Sequence, residues 1–162
     1  MVVYHGSNME VREPKLIRPI QTLDFGPGFY TPLNRNQAIE FTCKVVDQNG
    51  SRGVATLNSY SFDEKAAFAR DDTIRFDSPD QAWLDFVVAN RTGNYDGHDY
   101  AVKYGPVAND NVYRTVQLYM MGELSQAEAI ARFKVKALFN QVVFSDSEAW
   151  RLLKFEGSEV CG

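Results

Sequence analysis

The sequence predicts an α+β fold in which short, mostly antiparallel strands alternate with helices. Short runs of β-branched and aromatic residues alternate along the chain with segments of helical period. Several helix starts carry capping residues, and no repeat or linker interrupts the chain. The 162 residues, 44% of them hydrophobic, suit one domain with a sizeable core, so we predict a single domain over residues 1–162.

The first third of the chain predicts a strand, a loop and a helix. Val2–Tyr4 reads as a short buried strand, and residues 9–23, which contain two prolines, read as an extended loop. Asn34 is a favourable cap for a helix over residues 35–46. The apolar side of that helix consists of Ala38, Ile39, Thr42, Val45 and Val46.

The middle of the chain predicts two strands and a helix. Residues 54–62 and 73–76 favour strands by composition. Ser78 as cap, Pro79 at the first helical position and Gln81 completing a capping box predict a helix that starts there. Its predicted apolar face consists of Ala82, Trp83, Phe86 and Val87.

The last third predicts short strands between capped helices. Residues 99–103 read as a strand closed by Gly105 and Pro106, and Asn109 or Asp110 caps the following helix. That helix has the predicted face Tyr113, Val116, Gln117 and Met120. The remaining predicted elements are a helix opened by the capping box of Ser125 and Glu128, a strand over 141–144, a helix from Ser145 or Asp146 through Leu153, and an edge strand over 155–160.

Composition excludes several classes of function. The net charge of −4 and the pI of about 5.2 argue against a general electrostatic grip on nucleic acid or anionic membrane. Cys43 and Cys161 are too few for a disulfide scaffold, and with two histidines they match no zinc spacing. The N-terminus lacks the features of a signal peptide, and no apolar run is long enough to span a membrane. We therefore expect a cytoplasmic protein without a metal site.

Two stretches stand out as candidate ligand sites. Residues 24–31 place two glycines around a proline directly before Phe29 and Tyr30, which suggests a rigid platform that presents aromatic side chains. The same stretch also reads as an ordinary turn followed by two core aromatics. His5 follows the first strand and precedes Gly6, where it could meet a ligand or simply cap the strand end.

The order of His5, Tyr30 with Thr31, and Gln141 resembles the ADP-ribosyltransferase superfamily, specifically its His-Tyr-Glu branch. In that branch a histidine ends the first strand, a tyrosine lies in the next motif and a glutamate starts a later strand. The chain more specifically resembles an uncharacterised bacterial domain family placed within that superfamily. The matching runs are residues 4–7, 24–31, 83–87 with Asn90 and Arg91, 105–110, and 140–141.

The resemblance implies an ADP-ribosyltransferase-like fold around a cleft that binds NAD as co-substrate. His5 would donate a hydrogen bond to the adenosine-side ribose, the Gly6 backbone would pair with the nicotinamide amide, and Tyr30 would stack on the nicotinamide ring. The implied NAD-contacting residues are His5, Gly6, Ser7, Gly28, Phe29, Tyr30 and Thr31.

The implied catalytic set is His5, Tyr30 and Gln141, and its third member departs from the pattern. The glutamate of the superfamily holds a ribose hydroxyl and stabilises positive charge as the glycosidic bond breaks. Gln141 can accept the same hydrogen bond, but it is neutral and cannot act as a base. Asp24 or Asp110 could lend the missing carboxylate, and the sequence does not choose between them.

Three functions follow as hypotheses. The first is an NAD-dependent mono-ADP-ribosyltransferase that modifies a protein or nucleic acid, with a toxin role and a neutralising antitoxin protein implied by related bacterial proteins. The second is a module that binds NAD or ADP-ribose without turnover, because Gln141 replaces the acid. The third is a structural domain that acts through its surface.

Overall fold

The computed structural model describes residues 1–16, 23–135 and 138–161, with the backbone alone at Asp110. The predicted loop over 9–23 therefore lies partly outside the described residues. Where it is described, from 9 to 16, it has no regular structure. The described elements are β1 (Val2–Ser7), β2 (Phe29–Pro32), α1 (Arg35–Gln48), β3 (Thr56–Ser61), α2 (Glu64–Phe68), β4 (Thr73–Arg75), α3 (Gln81–Arg91), β5 (Val102–Pro106), α4 (Asp110–Met120), α5 (Gln126–Lys134), β6 (Asn140–Phe144), α6 (Ser147–Trp150) and β7 (Lys154–Val160).

Two sheets organise the described chain, and the predicted α+β class is confirmed. The first sheet has the strand order β1-β3-β7, and the second has the order β2-β6-β5-β4. Every pairing is antiparallel except that of β4 with β5. β7 forms an edge of the first sheet, as predicted. β1 and β2 are edge strands of different sheets, and this arrangement positions the candidate site.

Two apolar cores stabilise the fold, one on each face of the second sheet. The first core joins the two sheets and contains Val3, Phe29, Tyr60 and Phe144. The second core lies between the other face of the second sheet and helices α3, α4 and α5. It contains Phe25, Trp83, Val112, Phe133 and Val143. Burial of these large side chains is the main stabilising contribution.

Local capping predicted most of the helix starts, including that of α4, where Asn109 accepts from the Val112 amide at 3.0 Å, and it misplaced one. The Asn34 side chain accepts from the Gln37 amide, and Ser125 forms the predicted capping box, so both predictions are confirmed. Helix α3, however, begins after Asp80, whose carboxylate accepts from the Trp83 amide at 3.0 Å. A carboxylate interacts more favourably than a hydroxyl with the positive end of the helix dipole. Ala82 is exposed, so its assignment to the apolar face was wrong.

Long-range packing explains the other differences. β5 runs from Val102 to Pro106, so Gly105 lies inside the strand and does not close it. A Cβ added at Gly105 would lie 3.0 Å from Cζ of the Phe25 ring. The buried face of α4 is formed by Val112, Thr115 and Val116, whereas Gln117 and Met120 are exposed.

Two short helices complete the comparison with the sequence. α2, which was not predicted, begins after the Asp63 cap. α6 is capped by Asp146 and ends at Trp150, short of the predicted Leu153. In the described ranges, no helix has the length and apolar character needed to cross a membrane.

Candidate functional site

His5 connects the edge strands of the two sheets. Its Nδ1 atom lies 2.9 Å from the carbonyl oxygen of Tyr30, and its ring stacks on Phe29 with centroids 4.1 Å apart. The predicted position at the strand end is wrong, because β1 continues to Ser7 and places His5 within the strand. The structure therefore brings the predicted histidine to the backbone of the predicted tyrosine.

The protonation state of His5 follows from this contact. A carbonyl oxygen only accepts hydrogen bonds, so Nδ1 must carry the proton that it shares with Tyr30. Burial lowers the pKa of His5, although the bond to the Tyr30 carbonyl opposes that shift. The ring is therefore neutral at pH 7, and Nε2 offers a lone pair. In this state Nε2 is an acceptor, whereas the resemblance implies a donor to a ribose hydroxyl.

The Tyr30 hydroxyl is used within the protein. It donates to the Gly26 carbonyl at 2.6 Å and accepts from the Phe25 amide at 3.1 Å. Burial raises the pKa of Tyr30, so the phenol stays protonated. The ring packs against the second core but is only partly buried. A ligand could therefore contact the ring face of Tyr30, while its hydroxyl fixes the preceding loop.

The glycines of the site accommodate the protein itself. Gly26 has a φ of 75°, and an added Cβ there would lie 2.8 Å from Oδ1 of Asn90. At Gly28 an added Cβ would lie 2.5 Å from a methyl carbon of Val143. Gly6 faces helix α1, where an added Cβ would lie 2.9 Å from the Ala38 carbonyl oxygen. Close packing of these elements explains the three glycines without a ligand.

The other predicted NAD-contacting side chains are buried. Phe29 belongs to the first core, and Thr31 donates to the Val142 carbonyl at 2.7 Å. Ser7 is also buried. These side chains hold the strands of the site in place, whereas His5 and Tyr30 are only partly buried.

Gln141 lies one strand away from Tyr30, on the same face of the second sheet. In the register of β2 and β6, Tyr30 is opposite Val143 and Pro32 is opposite Gln141, which makes Tyr30 and Gln141 diagonal neighbours. Gln141 is only 5% exposed, and its Nε2 atom has no hydrogen-bond partner among the described residues. A buried amide nitrogen without a partner is costly and marks a candidate ligand contact.

A shallow depression adjoins the start of β6, just before Gln141. Its volume is about 250 Å³. Its described lining consists of Leu33, Asn34, Leu138, Phe139 and Asn140.

The two carboxylates proposed to replace the glutamate, those of Asp24 and Asp110, have different surroundings. Asp24 is buried, forms an ion pair with Arg91 and accepts from the Ala108 amide at 3.2 Å. Burial raises the pKa of Asp24, an effect that the Arg91 charge opposes. The oxygens of Asp24 are therefore engaged by the protein, so Asp24 does not supply the missing carboxylate. Asp110 begins α4, and its side chain lies outside the described part of the structure.

Two of the sequence segments that carry the resemblance, Asn90 with Arg91 and residues 105–110, contact the loop 24–28. Arg91 holds Asp24, the Ala108 amide holds Asp24, and Asn90 lies beside Gly26. Sequence reasoning missed Lys103, whose Nζ donates to the Phe25 carbonyl at 2.8 Å. Its only signal was a lysine within an apolar strand. It also missed Asn58, which is fully buried and donates to the His5 carbonyl at 3.3 Å.

Comparison with known proteins identifies one family. Residues 1–155 match the family described as "Protein of unknown function (DUF3990)". No curated protein and no solved structure shows significant similarity to the chain.

Proposed function

We propose that this chain, which belongs to the DUF3990 family because the match covers residues 1–155, is an NAD-dependent mono-ADP-ribosyltransferase with an ADP-ribosyltransferase-like fold. The observation that carries the proposal is the contact of His5 with Tyr30 across two edge strands, beside the unpartnered amide of Gln141. These three residues are the catalytic set that the resemblance implies. Their order and proximity support the proposal.

The chemistry of these groups fits NAD as co-substrate. Nε2 of neutral His5 accepts from a ribose hydroxyl, the Tyr30 ring offers a face to the cationic nicotinamide, and the Gln141 amide bonds a second ribose. Transfer breaks the bond between ribose C1′ and the nicotinamide nitrogen, which leaves with the bonding electrons. The acceptor nucleophile bonds C1′ and loses its proton to solvent water. Without a carboxylate at position 141, we expect slow transfer to a strong nucleophile.

The acceptor is a protein or nucleic acid, and the site of action is the cytoplasm. A toxin role with a neutralising antitoxin protein fits this chemistry, because uncontrolled modification of cellular macromolecules is harmful. Expression of the wild type should then slow growth, and His5→Ala should restore it. Equal growth of both strains would contradict the toxin role.

A second function is favoured by specific observations. Gln141 is neutral, and Asp24 is engaged by Arg91, so the described site holds no free carboxylate beside Tyr30. The same groups could bind NAD or an ADP-ribosyl group without breaking it. This binding module is the alternative to the transferase.

Incubation with labelled NAD and cell lysate tests the transferase against the binding module. The wild type should label a macromolecule and release nicotinamide slowly, Gln141→Glu should do so faster, and His5→Ala should do neither. Gln117→Glu, at an exposed glutamine on α4, is the matched control and should behave as the wild type. NAD binding by calorimetry without turnover in any variant would favour the binding module. No NAD binding at all would reject both functions.

A further inference from the structure

Lys103 is the one lysine that the described structure buries, and it lies in an interior strand. It is 4% exposed and sits in β5, between β4 and β6, opposite Val143. A buried ammonium needs hydrogen bonds and usually a counter-charge. Within the described ranges its one hydrogen bond goes to the Phe25 carbonyl, at 2.8 Å, and no carboxylate lies within ion-pair distance. Because burying this ammonium costs stability, a role beyond stability is needed to explain it.

The contact of Lys103 leads directly to Tyr30. The Phe25 carbonyl and the Gly26 amide belong to the same peptide group, and the Tyr30 hydroxyl bonds the backbone on both sides of that group. It accepts from the Phe25 amide and donates to the Gly26 carbonyl. The ammonium therefore fixes the peptide group around which the Tyr30 hydroxyl is held. Burial lowers the pKa of Lys103, and Asp99 and Asp146 oppose that shift.

The neighbouring contacts show that this peptide group has little freedom. An added Cβ at Gly26 would lie 2.8 Å from Oδ1 of Asn90 and 3.8 Å from Nζ of Lys103. The Gly26 amide also donates to the Leu23 carbonyl at 3.1 Å. Asp24, one residue earlier, is held by Arg91. Removing the Lys103 contact leaves a buried carbonyl without its charged donor at the centre of this arrangement.

We propose that Lys103 is a positioning residue that orients the Tyr30 ring through the Phe25 carbonyl. The effect of that orientation on NAD binding rests on the proposed function. The orientation of Tyr30 by Lys103 does not. A merely structural lysine would lower stability when removed, without a selective effect on Tyr30. A positioning lysine changes the state of the Tyr30 ring in the folded, ligand-free protein.

The first test is nuclear magnetic resonance of the full chain with ring-labelled tyrosine, with the Tyr30 signals assigned from Tyr30→Phe. Lys103→Met should shift and broaden the Tyr30 signals and speed exchange of its hydroxyl proton about tenfold, because a charge-assisted bond is lost. Lys65→Met, an exposed lysine on α2, should leave them unchanged. Ala67→Gly, buried in the first core, controls for lower stability alone. If Lys103→Met fails to fold, Lys103→Gln replaces it.

Unchanged Tyr30 signals in a folded Lys103 variant would overturn the proposal, as would equal changes in Ala67→Gly. The second test is a double-mutant cycle in NAD affinity. Lys103→Met and Tyr30→Phe should together weaken binding less than the product of their separate effects, because both residues hold the same stretch of backbone at Phe25 and Gly26. Independent effects would contradict the proposal. If the Tyr30 signals change but the protein never binds NAD, the positioning role is retained and the proposed function is rejected.

Discussion

The imidazole of His5 donates from Nδ1 to the carbonyl oxygen of Tyr30 at 2.9 Å, and this bond joins the edge strands of two sheets. Its consequence is chemical as well as structural. The bond fixes which nitrogen carries the proton and leaves Nε2 as an acceptor. The stack on Phe29 fixes the ring plane. Nε2 of His5 is therefore the acceptor that the proposed function requires.

The lowered pKa of His5 predicts how stability depends on pH. The unfolded chain binds a proton near the ordinary histidine pKa of about 6.5, before the folded protein does. The free energy of unfolding should therefore fall as pH decreases from there to the lower folded pKa, and His5 should contribute no further slope below it. Denaturation at a series of pH values measures this. His5→Gln should flatten the decrease, and His98→Gln, at an exposed histidine, should not. Equal slopes in the wild type and His5→Gln would contradict the assignment.

An acceptor at His5 also predicts discrimination between dinucleotides. If Nε2 accepts from the adenosine-side ribose hydroxyl, NADP offers a phosphate there, which is mostly without a proton at pH 7. Two acceptors then face each other, and we expect NADP to bind at least about tenfold more weakly than NAD. Calorimetry with both ligands measures the ratio. In His5→Ala the ratio should approach one. A ratio that His5→Ala does not alter would place the ribose elsewhere.

Tyr30 is a part of the fold as well as of the site. Loss of its hydroxyl in Tyr30→Phe removes two backbone contacts and should lower the free energy of unfolding by about 1–3 kcal/mol, while NAD still meets an aromatic ring. Tyr30→Ala also removes ring packing from the second core and should cost about 3–5 kcal/mol. Chemical denaturation and NAD titration separate the effects. Tyr30→Ala with wild-type stability would show that the ring serves a ligand alone.

The absence of a side chain at Gly6 is required by helix α1. An added Cβ would lie 2.9 Å from both the Ala38 carbonyl oxygen and Oγ1 of Thr42. Gly6→Ala should therefore lower the free energy of unfolding by about 1–3 kcal/mol through overpacking. Gly157→Ala is the matched control, because Gly157 also lies in a strand and an added Cβ meets nothing within 4 Å. Denaturation should leave Gly157→Ala near the wild type, and equal losses would argue against the helix contact.

Local chemistry made most elements predictable from sequence, and distant contacts set the rest. The Asn34 cap and the Ser125 box are formed by residues three apart, so a short window contains all the information. The close approach of the Phe25 ring to Gly105, by contrast, joins residues that are far apart in the chain. That contact has no local signature.

In the candidate site, too, the local sequence predicted some features and distant contacts determine the others. The Gly-Pro-Gly stretch indicated a rigid loop, but the contacts that hold the loop come from far along the chain. Lys103 reaches Phe25 across 78 positions and Arg91 reaches Asp24 across 67. Neither pair shows a pattern that a single sequence could indicate. The protonation of His5 likewise depends on a carbonyl contributed by another strand.

Gln141 and Asn58 are both buried amides, and they should respond oppositely to an apolar replacement. Asn58 is fully satisfied: Oδ1 accepts from the Val11 amide at 2.8 Å, and Nδ2 donates to the Met9 carbonyl at 3.2 Å as well as to His5. Nε2 of Gln141 has no partner among the described residues. Asn58→Leu should therefore lower the free energy of unfolding by about 2–4 kcal/mol, because it leaves buried backbone groups without hydrogen-bond partners.

Gln141→Met should instead raise the free energy of unfolding by about 1–2 kcal/mol in the ligand-free protein, because it removes an unsatisfied donor at nearly constant volume. The same change should weaken NAD binding, since the amide is then no longer available to a ribose. A gain in stability with a loss of binding is expected where a protein retains a costly group for function. Thermal unfolding and calorimetry on the two variants measure both quantities. Lower stability of Gln141→Met, as in Asn58→Leu, would show that the amide already has a partner within the protein, and the site would lose its third member.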